Sequence, residues 1–317
     1  MSGKVAFEKF MEPYQVEKEI GQGGFSRVYL ATRKADGKQF AVKVIANDDN
    51  TQNENVLREL KIQSEFDSPY IVNIYDSYQD GKQIVLIIEY INGGELFDAI
   101  VKRGSYSEKE AADLIQQVLL GLKILHTNNV THRDLKPENL LLMENPDGTT
   151  TVKISDFGLA GLFEKNAQMN TYCGTEGYAA PEIMQNIPYD QTVDIWSLGV
   201  IIYIILSGFR PFEADDRYEL YQQVIKADYE FFSPEWDTIS NEAKDLIFRM
   251  LKVNPKERIS IDEALNHPWI KGNAPSVKLG DLHSHMRKYN LKHKLKRTLN
   301  AAKAANQFLH LASLIDK

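Results

Sequence analysis

The stretch His132-Arg133-Asp134-Leu135-Lys136-Pro137-Glu138-Asn139, followed 17 residues after Asn139 by Asp156-Phe157-Gly158, constrains this chain more than any other feature. Asp147-Gly148 lies between the two and carries the signal of a tight hairpin, so the two polar segments read as neighbouring loops. Asn139 and Asp156 offer oxygen ligands, which suit a hard cation such as Mg2+ that retains water and shares its shell with substrate phosphates. Asp134 is the candidate acceptor of a hydroxyl proton, and Lys136, two residues on, the candidate stabiliser of a moving phosphoryl group. A phosphoryl transferred from ATP has a loose transition state, so the protein must mainly orient the attacking hydroxyl and neutralise charge. The Asp147-Gly148 turn itself lacks the oxygen-ligand spacing of a calcium loop.

Both segments match the signature of the eukaryotic protein kinases, and the chain resembles that family from about Tyr14 to Lys271. The resemblance implies further parts in a fixed chain order, and each has a counterpart here. Gly21-Gln22-Gly23-Gly24-Phe25-Ser26-Arg27-Val28 is the glycine loop, with Ser26 where the third glycine stands in the family; Gly21 and Gly23 have no β-carbon to keep the backbone from phosphates. Ala41-Val42-Lys43 is the strand that bears the lysine, and Ala180-Pro181-Glu182 closes the activation segment. Residues 55 to 66 read as a helix with Val56 and Glu59 on one face, which aims Glu59 at Lys43. The implied fold is α+β and bilobal, with a small antiparallel-sheet lobe over 14–91, a mainly helical lobe over 92–272, and C-terminal regulatory helices over 281–317.

The same resemblance implies a nucleotide site. Adenine is expected on the Glu89 carbonyl and the Ile91 amide, between walls made by Ile20, Val28, Ala41 and Leu141, with Ile88 as gatekeeper; core packing alone would also account for those apolar residues. Asn92-Gly93-Gly94 marks the hinge. Lys136 is the serine/threonine form of the catalytic loop. Glu95 and Glu138 match acidic positions that hold arginine upstream of the acceptor through charge-assisted bonds, Glu95 with the ribose as a second partner; the alternative for Glu138 is a solvated side chain. Protein substrates with basic residues before Ser or Thr are therefore expected. Thr171 sits where an upstream kinase places an activating phosphate, which would pair with Arg133. Thr175 is expected near Asp134 and Lys136, and Glu182 with Arg258 as a buried pair.

Composition bounds the rest. The chain has 317 residues, 43% of them hydrophobic, enough for a large core. Its longest apolar run, Val200 to Leu206, is far short of the roughly 18 to 20 residues that cross a bilayer, so a buried helix is expected there. Glycine at position 3 rather than 2 breaks the myristoylation pattern, and no signal peptide is read. The single cysteine, Cys173, excludes an internal disulfide and suits a reducing compartment, so the cytoplasm, with the nucleus as a further location, is expected; a monomer is expected as well.

The tail reverses the charge balance. Met286 to Lys317 holds 8 Lys or Arg and 1 Asp, a net of plus 7, against minus 14 for the residues before it. Leu291, Leu295, Leu299, Ala302, Ala305 and Leu309 recur at intervals of 3 or 4, an apolar stripe beside the lysines. Basic amphipathic helices are calmodulin targets or lie on membranes. Here the segment resembles that of the calcium/calmodulin-dependent protein kinases, which implies calcium-loaded calmodulin as partner, with Leu295 and Phe308, 13 apart, as end anchors and Leu299 between. On that reading the segment obstructs the cleft, and calmodulin competes for the same apolar face. Two other readings remain open: the catalytic part of a calcium-dependent protein kinase, although no D-x-D-x-D-G loop is present, and a catalytically weak kinase-fold scaffold whose basic tail binds a membrane or a partner. No nucleic acid is expected.

Overall fold

From Tyr14 onward, runs of β-branched and aromatic residues alternate with turn signals, a pattern that folds into strands with one buried face. The computed structural model describes residues 2–22, 26–46, 68–80, 83–157, 161–162, 174–279, 282, 284–295 and 298. It divides into two units: Met1–Asp67 with Val72–Ile91 and Leu291–Lys317, and Ser68–Ile71 with Asn92–Asn290. The fold is α+β, the first unit built on a sheet and the second mainly on helices.

In the first unit, helix α1 (Ser2–Met11) precedes strands β1 (Tyr14–Gln22), β2 (Ser26–Arg33), β3 (Gln39–Ala46), β4 (Ile74–Gln79) and β5 (Gln83–Glu89). They form one antiparallel sheet in the order β1-β2-β3-β5-β4. Residues on a strand alternate between faces. Ala31, Phe40, Val42, Val85 and Ile87 make a buried core on one face, against which Phe7, Phe10 and Met11 of α1 pack with Tyr14 and Tyr78. Complete burial of such a side chain contributes about 1.5–3 kcal/mol, and the partly buried Phe7, Phe10 and Met11 realise a share of it that ties α1 to the sheet. The β2–β3 hairpin turns at Asp36-Gly37, where Gly37 has φ +72°, a conformation glycine adopts without steric cost. Arg33 donates to Asp36 there at 3.0 Å, and this bond is the main cause that lowers the Asp36 carboxyl to about 2.

In the second unit, α2 (Leu96–Arg103) and α3 (Glu108–Thr127) lead to the two-residue strand β6 (Val130–Thr131) and the hairpin β7 (Leu140–Glu144) and β8 (Thr150–Ile154). Short strand β9 (Gly161–Leu162) pairs with β6. Helices α4 (Pro181–Met184), α5 (Thr192–Ser207), α6 (Arg217–Lys226), α7 (Asn241–Met250) and α8 (Ile261–Leu265) follow. Helix α3 starts at a capping box, in which Ser107 Oγ accepts the Glu110 N–H at 3.2 Å and the Glu110 carboxylate accepts the Ser107 N–H at 2.7 Å. Helix α5 is buried from Val193 to Ser207, as expected of a helix apolar all round. At 16 residues it spans about 24 Å, and among the described residues no helix is long and apolar enough to cross a membrane.

Close approaches set the helix packing. A β-carbon at Gly121 of α3 would lie 2.8 Å from Ile154 Cδ1, and one at Gly199 of α5 would lie 2.8 Å from Met250 Cβ. These glycines let α3 meet β8 and α5 meet α7. Thus α5 stands at the centre of the unit, and its first turn is fixed in space.

Candidate active site

The first turn of α5 organises the loop that carries Asp134. Asp194, fully buried there, accepts the backbone N–H groups of His132 and Arg133, each at 2.9 Å, and meets His126 Nε2 at 2.8 Å. Burial by itself pushes the Asp194 carboxyl up; the bond to His126, the His126 charge and the His132 N–H outweigh it and hold the group below its ordinary range. The clamp holds Arg133 at φ +68°, a left-handed conformation that residues other than glycine seldom adopt unless surrounding contacts impose it.

His132 joins this loop to the next one. Its Nδ1 accepts the Asp134 N–H at 3.3 Å, so its Nε2 carries the proton and donates to the Ser155 carbonyl at 3.0 Å. Phe157 meets the His132 ring edge-on at 5.2 Å. The pairing of Leu140 with Ile154, extended by the Ser155 N–H on the Asn139 carbonyl at 2.9 Å, sets Asn139 beside the chain that enters Asp156. Asp156 itself has φ +62°. The β7–β8 hairpin between them turns at Asp147-Gly148, with Gly148 at φ +82°.

Around Asp134 the side chains converge. Thr175 Oγ donates to Asp134 Oδ1 at 2.8 Å, Lys136 Nζ is paired with Asp134 Oδ2, and Lys136 Nζ also reaches Thr175 Oγ at 3.2 Å. Asn139 Nδ2 donates to the Asp134 carbonyl at 2.9 Å. The amide nitrogen is thereby committed to the protein, which leaves the amide oxygen as the Asn139 group suited to a cation. Asn139 and Asp156 make an all-oxygen pair, too few ligands for a closed metal cage and well matched to Mg2+ shared with phosphates. The donor set fits that ion.

The segment after the activation loop is pinned to the same centre. Gly174 has φ +97°, and a β-carbon there would lie 2.8 Å from the Arg133 carbonyl, so glycine is required twice over. Glu176 pairs with Arg217. Arg258 grips Glu182 with two bonds, at 2.7 and 3.0 Å, both side chains almost wholly buried. Residues 92–95 are fastened to β7: Gly93 N–H bonds Leu142 O at 2.9 Å, Leu142 N–H bonds Gly94 O at 2.8 Å, and Glu95 bridges Leu141.

In the first unit, the register sets Val28 opposite Lys43 and Ala41 opposite Ile88, with Lys43 opposite Leu86, so all five share one sheet face. Gly21 pairs with Val28, and Ile20 falls in the β1 bulge, 40% exposed. Glu89 exchanges bonds with Asn73, its N–H on the Asn73 carbonyl at 2.9 Å and its carboxylate accepting the Asn73 N–H at 3.1 Å; Ile91 is buried at the end of the unit. Gly23, Glu59, Thr171, Leu299 and Phe308 lie outside the described residues.

Of the apolar stripe, Leu291 and Leu295 are 61% and 62% exposed, and Leu299, Ala302, Ala305 and Leu309 lie outside the described residues. Ahead of it, Leu282 and Met286 are buried, and residues 285–286 approach Gly208 at the end of α5 closely. Sequence reading gave no role to Asp194, His126 or His132. A lone carboxylate opening an otherwise apolar helix was the available signal for Asp194.

A family model described as protein kinase domain matches residues 14–270. Calcium/calmodulin-dependent protein kinase type 1 of Caenorhabditis elegans is 42% identical over 312 residues, 96% of this chain and 88% of that protein. A probable myosin light chain kinase of Dictyostelium discoideum is 40% identical over 284 residues, 89% of this chain and 72% of that protein. Calcium/calmodulin-dependent protein kinase type IV of Homo sapiens is 38% identical over 298 residues, 93% of this chain and 62% of that protein.

Proposed function

We propose that this chain, which belongs to the protein kinase family and within it to the calcium/calmodulin-dependent group, phosphorylates Ser or Thr beside basic residues and is restrained by its own C-terminal segment until calcium-loaded calmodulin binds. It is a protein serine/threonine kinase. Within that class Asp134 takes the proton of the acceptor hydroxyl. The observation that most supports this role is that Oδ1 already accepts a hydroxyl hydrogen, from Thr175 at 2.8 Å. Lys136, paired with the other carboxylate oxygen, brings a positive charge to the side of the transferred group.

Asp194 and His132 hold this carboxylate in place through the loop backbone, so little reorganisation accompanies the reaction. Asn139 and Asp156 would hold Mg2+, which neutralises charge on the triphosphate of ATP. In the first unit, the sheet face bearing Val28, Ala41 and Lys43 is assigned to the nucleotide, with Gly21, Ile20, Glu89 and Ile91 at its margin. Glu138 and Glu95 are assigned to the basic residues of the substrate.

The regulatory half rests on the tail. Residues 284–290 are helical and packed on the second unit, whereas Leu291 and Leu295 remain exposed beside lysines. An exposed apolar stripe on a basic helix is what calmodulin grips, and the relatives' names carry the same partner. The test is transfer to a serine peptide with upstream arginines by the full chain, with and without calcium-loaded calmodulin. Low transfer without calmodulin and high transfer with it is expected. Equal rates overturn the regulatory half, and no transfer in either condition overturns the catalytic half.

A further inference from the structure

Among the described residues of the tail, Tyr289 joins a polar and aromatic cluster on the second unit. Its hydroxyl meets the Tyr178 hydroxyl at 2.6 Å, its ring lies 5.9 Å from that of Phe97, and the Arg210 guanidinium lies 5.5 Å from the Tyr178 ring and 5.7 Å from the Tyr289 ring. A cation between two aromatic faces at such distances is attracted to both, the more so when partly desolvated. Burial is the main cause that pushes both phenols above their ordinary range, so each keeps its proton at neutral pH and the hydroxyl pair stays a hydrogen bond.

The neighbours of this cluster belong to the reaction. Tyr178 follows Thr175, the residue bonded to Asp134, by three positions. Gly177 is in contact with Arg210, for a β-carbon there would lie 3.0 Å from Nη1. Glu138 is close enough to act on the charge of both phenols. One residue beyond Tyr289, Asn290 Nδ2 donates to Asp98 Oδ1 at 2.6 Å, and Asp98 lies three positions after Glu95 at the start of α2. The tail thus lies within electrostatic range of Glu138 and is bonded to Asp98, about one helical turn from Glu95.

We propose that Tyr289 is a latch: clasped by Arg210 and Tyr178, it holds the tail over the substrate-reading carboxylates, and its departure is the step that admits substrate. This rests on the autoinhibitory reading above. Phe97 and the Met286 contact at Gly208 position the helix, whereas the Tyr289–Arg210–Tyr178 contact sets how firmly it stays. Released, the helix leaves Arg210 and Tyr178 as part of the surface a substrate meets.

The test uses the full chain and two variants, Tyr289→Ala and Tyr289→Phe. Tyr289→Ala is expected to raise calmodulin-free peptide phosphorylation about ten-fold, the shift that loss of one such desolvated contact gives, with the calmodulin-saturated rate matching the unaltered chain. Tyr289→Phe keeps the ring and loses the hydroxyl pair, so it should fall between the two. Tryptic cleavage at Arg287 and Lys288 should quicken in the same order, a readout that does not depend on turnover. If calmodulin activates the unaltered chain while Tyr289→Ala neither raises basal transfer nor quickens cleavage, the latch is overturned and the wider reading stands. If calmodulin leaves the unaltered chain unchanged, the autoinhibitory reading falls and the latch with it.

Discussion

At the residue scale, two aspartates have opposite duties. Asp134 is the proposed acceptor of a substrate proton, and Asp194 is consumed by the protein's own backbone. Asp134→Asn keeps the shape and removes the base, so kcat is expected to drop by about 10²- to 10⁴-fold, while ATP still raises the melting temperature in a nucleotide titration. Asp194→Asn leaves an amide where two N–H groups and a histidine seek an acceptor, and leaving buried donors unpaired costs about 1–3 kcal/mol each. The pH dependence has a definite sign. The folded Asp194 carboxyl lies below its ordinary value of 3.8, so its stabilisation is complete above that value and is lost as the pH falls through the folded-state value. Thermal melts of both chains from pH 7 downward should therefore show the largest gap near neutrality and a closing gap in acid below about pH 4. A gap that is constant with pH removes the assigned role of the ionised carboxylate.

At the element scale, propensity and packing pull in opposite directions, and magnitude decides between them. Gly199 lies inside α5, where alanine is favoured over glycine by about 1 kcal/mol. Its β-carbon would nevertheless sit 2.8 Å from Met250 Cβ and 3.0 Å from Leu251 Cδ2, and overpacking costs about 1–3 kcal/mol. Gly199→Ala is thus expected to lower the denaturant midpoint; a raised midpoint would show that α7 yields freely. The Glu182–Arg258 pair braces the segment after the activation loop. Arg258→Met strands a buried carboxylate, and breaking such a pair costs about 3–5 kcal/mol, measured as loss of unfolding free energy in urea. These elements were partly legible. The hairpins at Asp36-Gly37 and Asp147-Gly148, and the helices at Glu108–Thr127 and Thr192–Ser207, announce themselves through turn chemistry and apolar period, both local properties. The glycines that let helices touch do not, because a glycine inside a helix reads only as a weakness until its neighbour is known.

At the scale of the whole molecule, charge and apolar pattern divide the tail from the body. Leu295 is exposed, so Leu295→Asp should leave the melting temperature within the small range of surface changes and weaken calmodulin binding about ten-fold or more in a fluorescence titration. Unchanged affinity would exclude Leu295 as an anchor. The sequence by itself determined the fold class, the family, the hairpin between the two polar loops, and the chemistry offered by Asp134, Lys136, Asn139 and Asp156, because these follow from residue type at short, fixed spacing. Tertiary structure alone decided that Asp194 holds a loop 61 and 62 residues before it, that His132 is spent on orientation, and that Tyr289 meets Tyr178 across 111 residues. Nothing local marks such partners, since a hydrogen bond between distant positions exists only once packing has brought the two ends of the chain together.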